Sequence, residues 1–260
     1  MKVGRLHKAY VAVVFAFLLL PLLLAIPLSV TASDLMLFPP RGITADWYGE
    51  FLANSRWNGP TFVSLALATI SATLATLIGS LAAWPLARRR FRGRDTLALM
   101  LGAPLVVPAI SVAVGAYLVW ASVGMLGSPI SLLATHVVLT SPLVLLVVGA
   151  ALLEFDESHV NAARTMGAGR WTIARRIVIP QILPSLIAAW LFAFIGSFDE
   201  VVITNFLLTA GQVPTLAVYV FNQIDSSASP AIAASAVVMA TVAVITAIAL
   251  TNLDARRRAT

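Results

Sequence analysis

Glu154-Phe-Asp156-Glu-Ser158-His-Val-Asn161-Ala162-Ala163-Arg-Thr-Met-Gly167, continuing to Ile177-Val-Ile179-Pro180, is a polar stretch set between two apolar runs, Pro129 to Leu153 and Ile182 to Leu208. Each run exceeds the roughly 20 apolar residues that cross a bilayer core of about 30 Å, so the stretch reads as a loop between two membrane spans. Four further runs of that length lie outward of it: Ala9 to Val30, Pro60 to Leu86, Thr96 to Trp120 and Pro230 to Leu253. With 60% hydrophobic residues and a mean hydropathy of +0.94, the chain is too apolar for a soluble domain, whose apolar share is roughly 45–50%. The fold class predicted is an all-α polytopic membrane protein with six transmembrane helices.

Basic residues are retained on the cytoplasmic side of short loops, and they orient the chain. Six spans put both termini on one side. With that side cytoplasmic, the inner segments hold Lys2, Arg5 and Lys8; Arg88, Arg89, Arg90, Arg92 and Arg94; Arg164, Arg170, Arg175 and Arg176; and Arg256, Arg257 and Arg258. These are 15 of the 17 Lys and Arg, leaving Arg41 and Arg56 outside, so both termini are expected in the cytoplasm. The net charge of +6 and the pI near 10.5 therefore report topology. A nucleic-acid reading is poor, because the charge is spread over four membrane-anchored segments with little aromatic interleaving. The expected organisation is a first span and outer loop at 1–59, a transmembrane core at 60–253 that contains the loop 154–180, and a basic tail at 254–260. Val30-Thr31-Ala32 loosely resembles a cleavage site, but the apolar stretch before it is longer than the 7–15 residues of a signal core, so a retained helix is expected.

Local physics gives the loop a shape. Asp156 or Ser158 is suited to cap a short helix, with Asp156 and Glu157 opposing its macrodipole. Val160, Ala163 and Met166 to Gly167 fall on one face at helical spacing. Ala162 and Ala163 permit close approach of another backbone, and Gly167 suits the left-handed conformation that ends a helix. Arg170 to Ile179 reads as a second, interfacial segment that Pro180 and Pro184 turn into the fifth span.

Elsewhere, the outer loop 31–59 carries Trp47, Tyr48 and Trp57, natural anchors at a headgroup layer. Pro104 and Pro108 in span three and Pro142 in span four predict bends, tolerated where neighbours satisfy the freed backbone. Val213 to Ile224 is apolar but too short to cross, and reads as an outer or re-entrant helix that starts at Pro214 and ends before Asp225. His7, His136 and His159 are too scattered for a metal site. His136 reads as a hydrogen-bonded residue inside its helix. With no Cys in the chain, disulfides and thiol chemistry are excluded.

Span five holds Ser197-Phe198-Asp199-Glu200, two carboxylates in an apolar run. A charge at a helix centre costs about 2.5–3.5 kcal/mol on insertion scales and normally faces protein or water. At about 1.5 Å per residue the pair lies about 26 Å along the span, towards the outer face. Ser185, Ala189, Ala193, Ser197, Glu200 and Thr204 form a small and polar stripe, while Trp190, Phe194 and Phe198 line another side. Glu200 is thus expected to look into a pathway with Ser197 and Thr204. Asp199, about 100° away, either shares that surface or contacts a neighbouring helix; if both carboxylates line the route, an anionic wall would favour cationic cargo.

The spacing of the loop, Asn161-Ala162-Ala163, three residues, Gly167, nine residues, Ile177-x-Ile179-Pro180, resembles the EAA coupling loop of ABC-importer permeases. Together with Trp47-Tyr48, the turn Arg90-Phe91-Arg92-Gly93-Arg94, Ser197-Phe198-Asp199-Glu200 and Pro214-Thr-Leu-x-Val-Tyr219, it makes the chain similar to the second-permease branch of spermidine/putrescine-type importers. Asn161 stands where that family usually has an acid. The resemblance implies a type I, MetI-like permease fold in a bacterial inner membrane and ATP-driven import of a polyamine. Members of the branch also carry opines, amino-acid-like compounds and phosphonates. It further implies a related permease as partner, two copies of a cytoplasmic ATP-binding subunit and an extracytoplasmic binding protein. Asn161, Ala162, Ala163 and Gly167 would dock on the ATPase; Asp199 and Glu200 would meet the amines. No cofactor, metal or catalytic residue is implied, and no P-loop is present, the only lysines being Lys2 and Lys8. The chain is therefore expected not to be an enzyme. A proton-coupled transporter using the acidic pair would not need the coupling loop, and a scaffolding protein would need neither.

Overall fold

In a bilayer every backbone donor and acceptor must be satisfied within the protein, which leaves helices as the means for an apolar chain of this kind to cross. The computed structural model describes residues 5–226 and 229–241, and no strand occurs among them. The helices are α1 Arg5–Ser29, α2 Asp46–Ala53, α3 Ser55–Arg88, α4 Arg94–Gly102, α5 Ala109–Ser122, α6 Pro129–Glu154, α7 Ser158–Thr165, α8 Arg170–Ile173, α9 Ile179–Phe198, α10 Val202–Leu207 and α11 Leu216–Ser226, followed by α12, Pro230–Thr241. Four helical stretches are long and apolar enough to span, Tyr10–Ser29, Arg56–Arg88, Pro129–Glu154 and Arg170–Phe198. The sixth expected run is described only as far as Thr241; its remainder, Lys2 and the basic tail 254–260 lie outside the described residues.

Three expectations about continuity change. Span three is a broken pair: α4 with its 3-10 turn Ala103–Leu105 meets α5 at 100°. Pro108 takes extended backbone (φ −54°, ψ 135°), and with Pro104 lacking an N–H as well, the chain turns sharply where a bend was expected. Pro180 and Pro184, by contrast, turn nothing. A π-helical turn, Ala174–Val178, links α8 to α9 and leaves Pro180 in the first turn of α9, where its missing N–H costs nothing. Span five is not one helix, since α9 ends at Phe198 and α10 begins at Val202. A smaller shift affects α11, which starts two residues after Pro214 and runs past Asp225 to Ser226.

The chain divides into two units, Met1–Gly59 with Tyr219–Thr260, and Pro60–Val218. In the first, the side chains expected to rest at headgroups knit the loop to itself. Trp47 Nε1 donates to the Thr31 carbonyl (2.7 Å), Tyr48 OH bonds Ser29 Oγ (2.7 Å), and Trp57 is buried between the edges of Phe51 and Tyr219.

In the second unit α6 is the central helix. Its Val144, Val148 and Leu152 are buried against Ala72, Ala75 and Ala83 of α3 and Ala189 and Ala193 of α9. Small residues let the backbones approach, the usual basis of helix association in membranes. At Gly79 the approach is closest, as a Cβ there would lie 2.8 Å from Val144 Cβ. Ala113 of α5 packs on Ile203 and Leu207 of α10.

Candidate functional site

The loop between α6 and α9 is a short helix sealed at both ends. Asp156 supplies the N-terminal seal: its Oδ1 accepts from Ser158 N (2.9 Å) and its Oδ2 from Ser158 Oγ (2.6 Å). These two bonds, hydroxyl first, hold the Asp156 carboxyl below the usual carboxylate range. At the other end Gly167 has φ +83°, while Gly167 N bonds the Arg164 carbonyl (3.0 Å) and Ala168 N the Ala163 carbonyl (2.9 Å). That pair of bonds defines a left-handed helix stop that glycine makes without strain. Val160 and Ala163 are buried and anchor α7 on Phe155, Ile173 and Val178. Asn161, Ala162, Arg164, Met166 and Gly167 are exposed. Ala163 thus faces its own protein, whereas Met166, placed by helical spacing on the same face as Val160 and Ala163, is 81% exposed.

Arg88, the last residue of α3, grips the base of this loop. Its Nη2 donates to the Phe155 carbonyl (2.6 Å), its Nη1 to Glu157 Oε1 (3.0 Å), and the guanidinium lies 5.4 Å from the Phe155 ring centroid. Motion of α7 therefore meets α3 through a charged, three-point contact.

The second feature is the break between α9 and α10. The Glu200 side chain, 8% exposed, turns inward and caps α10. Its Oε1 accepts from Ile203 N (2.6 Å), and its Oε2 from Thr204 N (2.7 Å) and Thr204 Oγ1 (2.7 Å). Helix N-termini leave such donors unpaired, and an anion is their best partner. Ser197 and Thr204 flank His136, whose Nδ1 is 2.8 Å from Ser197 Oγ and whose Nε2 is 3.0 Å from Thr204 Oγ1. Ser71 of α3 completes the group, donating to Ser197 Oγ (2.9 Å). All of these hydroxyls and the imidazole are buried. Asp199 alone of the acidic pair is exposed, at the end of a stacked ladder of half-buried rings. Its centroid spacings are 5.3 Å for Trp190–Phe194 and 5.7 Å for Phe194–Phe198.

The chain as a whole is similar to known proteins. The family described as binding-protein-dependent transport system inner membrane component matches residues 75–259. The chain belongs to this family. It is 31% identical over 248 residues, 95% of this chain and 93% of the relative, to the spermidine/putrescine transport system permease protein PotC of Escherichia coli strain K12. It is 32% identical over 229 residues, 85% and 81% of the two chains, to the putrescine transport system permease protein PotI of the same strain. Among solved structures, a bacterial ABC transporter involved in import of the acidic polysaccharide alginate superposes with TM-score 0.71 at 16% identity, covering 97% of this chain and 98% of that one. The methionine ABC transporter MetNI, inward facing, superposes with TM-score 0.60 at 17% identity, covering 84% and 100%.

The protein is thus a multi-pass inner-membrane permease subunit with the MetI-like importer fold. It is not itself an enzyme, and members of its family work with ATP-binding subunits and a substrate-binding protein. In this permease, of the residues expected to couple, Asn161, Ala162 and Gly167 are exposed while Ala163 is buried. Ser197, Glu200 and Thr204 come together around His136, and Asp199 points away from them. Ala189 and Ala193, the small members of the stripe expected along a pathway, pack inside the unit. Sequence reasoning passes over Ser71, counts Arg88 only towards topology, and reads His136 as a hydrogen-bonded residue inside its helix, as it is, without naming its partners. A lone imidazole in an apolar span is the available signal, because such a group has to find polar partners.

Proposed function

We propose that this permease subunit serves ATP-driven import of a small organic cation, a polyamine of the spermidine/putrescine class. The observation that carries the reading is its 31% identity over 95% of its length to a permease named for spermidine and putrescine. Asp199 supports it: an exposed carboxylate beside an aromatic ladder suits an alkylammonium group, which both attract. Asp199 supplies the charge that meets the amine, while Ser197, Glu200 and Thr204 form the wall behind it.

The assembly comprises this subunit, a second homologous permease, two copies of a cytoplasmic ATP-binding subunit and an extracytoplasmic binding protein. The chain crosses six times with both termini cytoplasmic, and the segments 1–59, 60–253 and 254–260 act as anchor, transport core and tail. Asn161, Ala162, Ala163 and Gly167 form the docking knuckle, the first two and Gly167 by contact and Ala163 by seating the helix.

Uptake into proteoliposomes bearing the full assembly tests this. ATP-dependent accumulation of spermidine or putrescine is expected, reduced about tenfold or more by Asp199→Asn, on the scale of losing one charge-assisted contact. Uptake of a phosphonate or an amino acid in place of polyamines would overturn the substrate, and unchanged uptake by Asp199→Asn would remove that residue from the route.

A further inference from the structure

The order of hydrogens in the buried group around His136 follows from its Glu200 end. Glu200 Oε2 accepts from the Thr204 hydroxyl, so Thr204 Oγ1 has spent its hydrogen and can only accept from His136 Nε2. With the ring hydrogen on Nε2, Nδ1 can only accept, and it takes the Ser197 hydrogen. Ser197 Oγ in turn accepts from Ser71 Oγ (2.9 Å), whose hydrogen also reaches the Ala68 carbonyl (3.2 Å). His136 Nε2 and Glu200 Oε2 are 3.9 Å apart, too far to bond directly, and Thr204 Oγ1 sits between them. The chain therefore runs one way: Ser71 to Ser197 to His136 to Thr204 to Glu200. It draws on α3, α6, α9 and α10, and it ends on the carboxylate that caps α10.

From Ser197 to Glu200 each side-chain donor meets one acceptor, and aligned bonds strengthen one another in a medium without water. Losing the centre would leave the Ser197 hydroxyl without its acceptor and Thr204 Oγ1 without its donor. Glu200 would keep its bonds to Ile203 and Thr204, but the bridge that joins α9 to α10 through α6 would be gone. The two sides of the α9–α10 break, and Asp199 between them, would then lose their common tie to α6.

We infer that His136, as the Nε2–H tautomer, is a positioning residue for transport: it closes a one-way hydrogen-bond chain that fixes the α9–α10 break and thereby aims Asp199. The inference rests on the reading of Asp199 as the cargo-facing group, yet its first test is independent of cargo. Nitrogen NMR of the histidine-labelled assembly at neutral pH, with the His136 signals assigned by their absence in His136→Gln, should give a protonated Nε2 and an unprotonated Nδ1. An Nδ1–H tautomer, or a ring protonated at both nitrogens, would overturn the one-way order from Ser71 to Glu200.

Transport supplies the second test. Gln offers one acceptor and one donor on neighbouring atoms and Leu offers neither. His136→Gln should keep uptake within about threefold of the parent, whereas His136→Leu should lose about tenfold or more, as expected for stranded buried hydroxyls. In an Asp199→Asn background, His136→Leu should add less than about twofold, because residues acting through one another are not additive. Full additivity, or equal loss in the Gln and Leu variants, would reduce His136 to a packing role. Normal uptake by Asp199→Asn with the Nε2–H tautomer present would remove the cargo reading and leave the chain of bonds standing.

Discussion

The loop 154–180 and the break at 199–201 both interrupt apolar helix, but they are built by opposite means. Around α7 the deciding bonds are local: Asp156 to Ser158, Gly167 to Arg164, Ala168 to Ala163. Only the base of that loop is held from afar, by Arg88. At the break Glu200 bonds its neighbours Ile203 and Thr204, but the other partners are remote, 61 residues apart for His136 and Ser197, 68 for His136 and Thr204 and 126 for Ser71 and Ser197. The first region displays its polar groups and the second consumes them. A surface that must seat a partner is best kept rigid by its own short-range bonds, which do not depend on the rest of the protein. A joint that must follow the surrounding helices is held by bonds to those helices.

The largest expected effect tests the exposed region. Gly167→Arg places a side chain at φ +83° on the exposed face proposed to dock. The backbone cost alone is of order 1–3 kcal/mol, and the new bulk falls where a partner approaches. ATP-driven uptake by the reconstituted assembly should be lost while the subunit still inserts; normal uptake would show that the knuckle is not a contact.

Next comes the contrast within the acidic pair. Glu200→Ala strands two backbone donors and a hydroxyl, and should lower resistance to denaturation by about 1–3 kcal/mol. Asp199→Asn, at an exposed position, should stay within about 0.5 kcal/mol. Thermal or denaturant unfolding in detergent decides between them, and equal losses would dissolve the distinction between a structural and a cargo-facing carboxylate.

Arg88→Gln should weaken the link between α3 and α7 by about 1–2 kcal/mol, most of it from the bond to the Phe155 carbonyl, because Glu157 is largely exposed and its ion pair screened. The sharper readout is the ratio of cargo moved to ATP consumed, which should fall while the assembly remains intact. An unchanged ratio would place force transmission elsewhere.

The smallest effect is the pH response of the α7 cap. The Asp156 carboxyl is lowered in the folded protein by its Ser158 bonds, so its contribution is complete above the ordinary carboxylate pKa and fades only as pH falls through the lowered one. Amide exchange at Ser158 to Val160 should therefore stay slow from neutrality into mild acid, and Asp156→Asn should remove the pH dependence. Loss of protection near neutrality would contradict the cap.

The same contrast between local and remote bonds separates what the sequence makes legible from what it hides. The helix stop at Gly167, the cap at Asp156 and the extents of α1, α3 and α6 follow from local preference and apolar run length, and the family from the resemblance of the spacing between Asn161 and Pro180. Spans three and five read as single helices because hydropathy does not register the loss of one helical turn. Helical periodicity assigns Glu200 to a pathway, a rule that holds only while the helix continues, and its own carboxylate ends that continuity. Pro180 reads as a turning point, yet a π turn absorbs it. Ser71 cannot be linked to Ser197 without knowing how α3 lies on α9.

Whether the exposed face of α7 receives motion from an ATP-binding partner decides the function of the whole subunit. Because the chain has no cysteine, Ala162→Cys supplies one thiol, and cross-linking in the active assembly measures its neighbour directly. The expected result is a disulfide or short-linker product with a cysteine placed in the cleft of the ATP-binding subunit, the thiol being protected when that subunit is bound and labelled only from the cytoplasmic side. Labelling from the outer side, or a fully active assembly in which that thiol meets no ATP-binding subunit, would contradict it.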